Sequence, residues 1–362
     1  MLERDERHQH VPEDGHGGDA GRTRAYPSRR TVRRGLVEDL RRTPASGSQR
    51  GHLTVPSTSP ASIGLVTGLA ADASPGESLA PWTSLRVGGP AELLVRPRTA
   101  QALVSVLSRA RAEGFPVHVL GGGANTLVGD LGIRGITLKL PGDLFAEEVQ
   151  PVTSGGGLVT LGAGAAIVRL VNVMRARGWV GAEFLAGIPG TIGGAVAMNA
   201  GTKQGECERV LDAVELATPD GIGWVPRSAL TLRYRFTELP PGAIITRARF
   251  RLPSGDVEAS RAAMEADLGY RKRTQPLSQP NCGSVFTNPP GNHAGRLIDS
   301  VGLKGARLGS AQISTLHANW IVNLGGARAS DVLGLIERAQ ARVREATGIV
   351  LVPEVKRVGV FA

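Results

Sequence analysis

Cysteine is nearly absent: the 362 residues include only Cys207 and Cys282. Two thiols cannot staple a chain of this length, and neither stands in a metal-ligand spacing, so a disulfide framework and a cysteine-held metal are both excluded. Both are expected as small buried side chains, with Cys282 of interest only because it lies two residues from Ser284. Aromatic residues make up 4% of the chain, and no basic stripe interleaved with aromatics occurs, which argues against RNA recognition. No apolar run approaches the ~20 residues of a membrane span. The N-terminal "MLERDERHQH" is charged from its third residue and lacks the apolar core of a secretory signal, so a cytoplasmic location is expected.

What is present describes a globular protein of two or three domains, 41% hydrophobic and 20% charged. The net charge of +10 points to an acidic partner, and phosphorylated small molecules fit better than nucleic acid. Residues 1–60 hold 11 arginines, 8 acidic residues and four of the seven histidines, with few large apolar side chains. Such a segment cannot bury enough surface to offset its ordering entropy, so a disordered basic tail is expected there. His8 and His10 belong to that solvated tail, and no metal site is expected.

Regular patterning begins near "SLRVGGPAELLVRP". A strand at "AELLV", a helix capped by Thr99 with Leu103, Val106, Leu107 and Ala110 on one face, and a strand at "FPVHVL" form a β-α-β unit. Strands at "GITLKL" and "LVTLGAG" follow, then a helix over 165–178 closed by Gly178, and strands at "VLDAVELATPDG" and "AIITRARFRLP". The last third contains a basic helix ending "YRKRTQP", a turn at Ser284, a helix capped by Ser330 and a final strand "IVLVPEVKRVG". The pattern predicts an α+β protein in three packed parts, 61–140, 141–252 and 253–362.

Two glycine-rich loops carry the chemistry. "VLGGGANTLV" follows a strand and offers backbone amides to an anion, yet it has neither the Gly-Lys-Ser/Thr of a Walker loop nor G-x-G-x-x-G spacing. "GIPGTIGGAVAMNAG" is small and apolar throughout, as a backbone packed flat on a planar ligand must be. Together they suggest a dinucleotide held between two parts.

These loops stand among further motifs: "TSLRVGGPAELLV", "EFLAGIPGTIGGAVAMNAG", "YRFT", "RKRTQP", "CGSVFTNP", "AGRLIDSVGLKGARLGSAQIS", "HANWIVN" and "LVPEVK", in order over about residues 80 to 358. In these the chain resembles the flavoprotein UDP-N-acetylenolpyruvoylglucosamine reductases, in their shorter type II form. The resemblance implies a two-part FAD-binding unit of the vanillyl-alcohol-oxidase type over 61–140 and 141–252, then a smaller α+β substrate-binding domain over 253–362. It implies FAD as cofactor, NADPH as hydride donor and UDP-N-acetylglucosamine enolpyruvate as substrate, reduced to UDP-N-acetylmuramate for peptidoglycan. A monomer, without membrane insertion or nucleic-acid partner, is expected.

By the same resemblance Ser284 is the proton donor, Arg235 holds the substrate carboxylate, and Glu354 helps to stabilise the enolate-like intermediate. Gly121, Gly122, Gly123, Ala124, Asn125, Thr126, Gly187, Ile188, Pro189, Gly190, Gly193, Gly194, Asn199 and Ile245 are expected around FAD. Tyr234, Lys272, Asn288 and His317 are expected near the nucleotide diphosphate or its sugar. Two departures stand out: Thr287 where the family usually has lysine, and Thr202-Lys203-Gln204 in place of Ala-Tyr-Gly. Two other readings are an FAD-dependent oxidase on the same flavin fold, which needs no Ser284 or Glu354, and a non-catalytic paralogue that binds nucleotide or flavin. A serine nucleophile is not expected, because "CGSVF" lacks the G-x-S-x-G elbow and no histidine stands at a recognisable triad position.

Overall fold

The computed structural model describes residues 63–153 and 155–362; the tail expected over 1–60 lies outside the described residues. The first sheet contains β1 (Ala71–Pro75), β2 (Ala91–Pro97), β3 (Val117–Val119) and β5 (Ile133–Leu138), in the order β1-β2-β5-β3. β2, β5 and β3 are parallel, and β2 buries Ala91, Leu93, Leu94 and Val95, as a strand covered on both faces should. Helix α1 (Ala100–Ala112) links β2 to β3. Thr99 caps it, its hydroxyl accepting from the Ala102 N–H, and the four expected apolar side chains are buried.

The second sheet is antiparallel throughout: β6 (Glu148–Pro151), β7 (Gly157–Gly162), β10 (Leu211–Thr218), β11 (Gly221–Pro226) and β14 (Ile244–Leu252), ordered β11-β10-β14-β7-β6. Helix α2 (Ile167–Arg177) ends where Gly178 turns left-handed, φ +65°, and the short α3 (Ile192–Ala197) carries the second glycine loop. Side chains of α1, β2, β5, β7, α2, β10 and β14 share one hydrophobic core.

A long helix, α4 (Val257–Thr274), leads to the third sheet. β15 (Asn281–Ser284), β16 (Arg307–Leu308), β17 (Ala311–Ile313) and β18 (Trp320–Asn323) lie in the order β15-β18-β17-β16. Helices α5 (Ala294–Ser300) and α6 (Ala329–Thr347) share a second core with this sheet, and Leu85, Val87 and Leu127 enter it from the first part of the chain. The chain then turns back. β19 (Lys356–Val358) pairs in parallel with β4 (Thr126–Val128), directly after the first glycine loop.

Three local expectations change. Ser284 closes a strand, not a turn, pairing with Trp320. The final strand is limited to β19, because Pro353 has no N–H for a continuous ladder and meets Phe286 only in an isolated bridge. Ser330 is not the cap of α6. That helix begins at Ala329, and the Asp130 carboxylate accepts the Ala329 and Ser330 N–H groups at 2.7 and 2.8 Å, while Asp331 accepts from Arg328 N–H at 2.9 Å. An ionised carboxylate outcompetes a hydroxyl at the positive end of a helix. Asp130→Ala is expected to cost about 1–2 kcal/mol, the value of a lost cap. Denaturant unfolding would read this, and an unchanged midpoint would remove the Asp130 contact from the account.

Candidate active site

The two glycine loops meet. A Cβ on Gly122 would lie 2.7 Å from the Gly190 Cα, and one on Gly121 would lie 2.9 Å from Thr191 Oγ1. Among the described residues, no protein acceptor takes the backbone N–H groups of Gly121 through Asn125. Lys139 stands beside them with Nζ donating to the Gly121 carbonyl at 2.7 Å, and burial lowers its pKa. Five free amides and an adjacent cation suit a diphosphate, and the closeness of the loops explains why side chains are excluded. The chain's residues therefore fit FAD. Gly187, Ile188, Pro189 and Gly190 form the second loop, Gly193 and Gly194 open α3, and Ile245 is buried in β14.

The first loop is tied to what faces it. Ser84 Oγ donates to the Asn281 carbonyl at 2.6 Å, and the Ser84 N–H donates to the Gly123 carbonyl at 3.1 Å, so Ser84 joins the loop to the strand bearing Ser284. Asn125 Nδ2 donates to the Glu354 carbonyl at 3.2 Å, and Lys356 N–H donates to the Asn125 carbonyl at 3.0 Å. Glu354 N–H in turn donates to the Val285 carbonyl at 2.8 Å, one residue after Ser284. Ser284 and Glu354 thus sit on adjoining extended segments, and the Ser284 hydroxyl has no hydrogen-bond partner among the described residues.

Arg235 completes the cluster. It sits with Tyr234 at the two-residue tip of the hairpin β12 (Leu232–Arg233) and β13 (Phe236–Thr237), with a left-handed φ of +59°. Its Nε donates to Glu354 Oε1 at 3.1 Å, Nη1 to Glu206 Oε1 at 3.3 Å, and Nη2 to the Gly201 carbonyl at 2.9 Å. Three of the five guanidinium N–H groups are engaged, leaving two for an incoming carboxylate. The Arg235 and Glu354 side chains are 18% and 15% exposed, within reach of a ligand but shielded enough for charge to act strongly. Tyr234 lies under the guanidinium, 4.6 Å from its ring centroid, with its phenol beside the Asn288 backbone.

Comparison with known proteins decides what this cluster belongs to. The FAD binding domain family matches residues 91–223, and the family of UDP-N-acetylenolpyruvoylglucosamine reductase C-terminal domains matches 275–358. The reductase of Myxococcus xanthus is 68% identical over 286 residues, 79% of this chain and 92% of its own. That of Anaeromyxobacter sp. strain K is 55% identical over 283 residues, 78% of this chain and 84% of its own. The crystal structure of the Thermus caldophilus reductase superposes with a TM-score of 0.67 at 39% identity, covering 80% of this chain and 99% of that one. The chain belongs to the UDP-N-acetylenolpyruvoylglucosamine reductase family.

Not every residue expected from the reductase motifs joins the cluster. Lys272 is exposed on α4 and makes no ion pair among the described residues; its neighbour Arg271 instead reaches the second loop, donating to the Ala186 carbonyl at 3.5 Å. His317 accepts the Asn319 N–H at Nδ1 and packs against Gly295 of α5, and burial lowers its pKa. Asn288 Oδ1 accepts the first N–H of α5, from Ala294. Asn199 is fully buried, with Nδ2 donating to Glu206 and to the Arg233 carbonyl, behind the arginine. Both cysteine thiols are buried, and burial pushes each up to about 12, so neither is reactive.

Sequence reasoning in this reductase missed Ser84, Glu206 and Asp130. Ser84 lies inside a quoted motif and Glu206 just beyond Thr202-Lys203-Gln204, but only their partners, 197 and 29 residues distant, reveal a task.

Burial raises the Glu354 carboxyl above the ordinary carboxylate range against the opposing pull of Arg235. The folded chain therefore holds that proton more tightly than the unfolded chain, and stability is lost as pH rises from the ordinary carboxylate range through the folded pKa. Glu354→Gln is expected to match the parent at acid pH and to melt at a higher temperature at neutral pH. Melting curves across that range test it; a lower neutral melting point for the variant would show that the pair with Arg235 outweighs the burial.

Proposed function

We propose that this chain is an NADPH-dependent flavoenzyme that reduces UDP-N-acetylglucosamine enolpyruvate to UDP-N-acetylmuramate in peptidoglycan synthesis. The observation that carries the reading is the meeting of Arg235, Glu354 and the Ser284 strand beside two glycine loops fit for FAD. FAD, when bound, supplies the hydride that it takes from NADPH. Residues 61–140 and 141–252 hold that cofactor, and 253–362 receive the nucleotide sugar. The sheet β1-β2-β5-β3 lies within 61–140, the five-stranded sheet within 141–252 and the sheet β15-β18-β17-β16 within 253–362, which supports this division, while the small β19–β4 pair crosses it.

Each residue of the cluster has a task its chemistry suits. The two remaining N–H groups of Arg235 receive the substrate carboxylate and stabilise charge that spreads onto it. Glu354, whose carboxyl burial raises above the ordinary carboxylate range against the pull of Arg235, faces the same developing charge and helps to set how strongly Arg235 answers it. Ser284 delivers the proton that completes the saturated lactyl group; a hydroxyl relays a proton without bringing a net charge into the site. Asn288 and Tyr234 line the approach, with Lys272 and His317 further out towards the nucleotide. Thr287 does not replace the family's lysine, since its Oγ1 is engaged in donating to the Val352 carbonyl at 3.2 Å.

This chemistry belongs to the cytoplasmic stage of wall building, and through the wall to cell shape and division. Among the described residues no helix is long and apolar enough to cross a membrane.

The test is anaerobic and spectroscopic. The flavin absorbance is expected to bleach with NADPH and to return on adding the enolpyruvyl substrate. Ser284→Ala is expected to bleach normally while reoxidising about 100-fold more slowly or worse, the usual contribution of a proton donor. Absorbance that returns only on admitting oxygen would support an oxidase, and absence of flavin a chain that has lost the chemistry.

A further inference from the structure

The Arg235 guanidinium is gripped by a second hairpin. β8 (Gly201–Thr202) and β9 (Gly205–Glu206) pair with Gly201 opposite Glu206 and Thr202 opposite Gly205. Both members of the first pair accept from Arg235, through the Gly201 carbonyl at 2.9 Å and Glu206 Oε1 at 3.3 Å. The other Glu206 oxygen accepts Asn199 Nδ2 at 3.0 Å, and that buried amide also reaches the Arg233 carbonyl, two residues before Arg235. Glu206 cannot swing away without leaving a buried donor short of a partner.

The far end of this hairpin is anchored. Lys203 Nζ lies 5.5 Å from the centroid of the Tyr270 ring, and Gln204 Nε2 donates to Asp267 Oδ1 at 2.9 Å, both on α4. These are two of the three positions where the chain departs from the family's Ala-Tyr-Gly. Both side chains fix the hairpin tip to α4.

Two carboxylates on one arginine need a reason. Glu354 alone would neutralise Arg235, yet Glu354 must also answer to the substrate. When a third carboxylate arrives with the substrate, Glu354 can yield only if Arg235 keeps another partner in its shielded position. We propose that Glu206 is a positioning residue for the substrate half of the reaction, holding Arg235 in its left-handed hairpin so that its free N–H groups meet the substrate carboxylate while Glu354 turns to the reacting centre. A left-handed non-glycine residue persists only where its surroundings over-determine it, and Glu206 with Gly201 supplies that determination. The inference rests on the reading of Arg235 as the substrate's carboxylate anchor.

The test uses the holoenzyme and separates the two halves of the reaction in Glu206→Ala, Glu206→Gln and Arg235→Ala. Bleaching by NADPH and flavin content are expected to stay near the parent in Glu206→Ala, while reoxidation by the enolpyruvyl substrate slows about 30-fold and its apparent affinity falls, the scale of losing one partner of a shielded charge pair. Glu206→Gln retains an acceptor for Arg235 and is expected to recover part of the loss. Equal damage to both halves, or loss of flavin, would make Glu206 a structural residue and overturn the proposal. Slow reoxidation in Arg235→Ala but not in Glu206→Ala refutes the clamp and leaves Arg235 its role. If neither variant is slowed, the anchor reading of Arg235 falls and the clamp falls with it.

Discussion

The stretch Gly121–Asn125 is bonded on two sides at once, and the geometry of the site follows from that. Its amides face away from protein acceptors, so the backbone must be immobilised by other means. Ser84 and Asn125 do this, one reaching the strand of Ser284 and the other the carbonyl of Glu354. A loop held only by its own strand would offer the same amides with no fixed relation to Ser284. Fixing donors before reaction, at no reorganisation cost during it, is the advantage such tethering confers.

Opposite that loop, order is maintained by charge. Glu354, Arg235, Glu206 and Asn199 form a continuous row of donors and acceptors that passes from the last part of the chain into the second sheet's neighbourhood. The row sits partly shielded from water, where each contact is stronger than on the surface and each unpaired group more costly. Burial raises the Glu354 carboxyl within it, against the opposing pull of Arg235. Groups poised for chemistry are often less comfortable than those that only hold a fold together.

Much of this was legible in the residues. Apolar spacing and end signals located α1, α2 and α6, each of which packs a face against a sheet, whereas α4 was read from its basic end and buries only Ser260 and Met264; small residues at successive positions exposed both glycine loops. Ser284, Arg235 and Glu354 became visible only through family motifs, since a lone arginine or glutamate at a loop tip carries no signal of its own. Illegible features were those set by tertiary partners. Arg235 adopts a left-handed turn that composition assigns to glycine or asparagine. Ser330 loses its capping place to Asp130 of a different sheet's loop, 199 and 200 residues before the two N–H groups it accepts. Pro353 shortens the last strand, and its interruption leaves Glu354 free to turn towards Arg235.

The pairing of β19 with β4 has a meaning for how the molecule is made. The ribosome delivers both glycine loops well before it delivers Glu354, which lies 229 residues beyond Asn125. During that interval the loop has its amides but neither of its distant tethers, and the flavin unit is a cradle with an open back. Contacts of such long sequence separation form late. The first loop therefore gains its distant tether only when nearly the whole chain has been made.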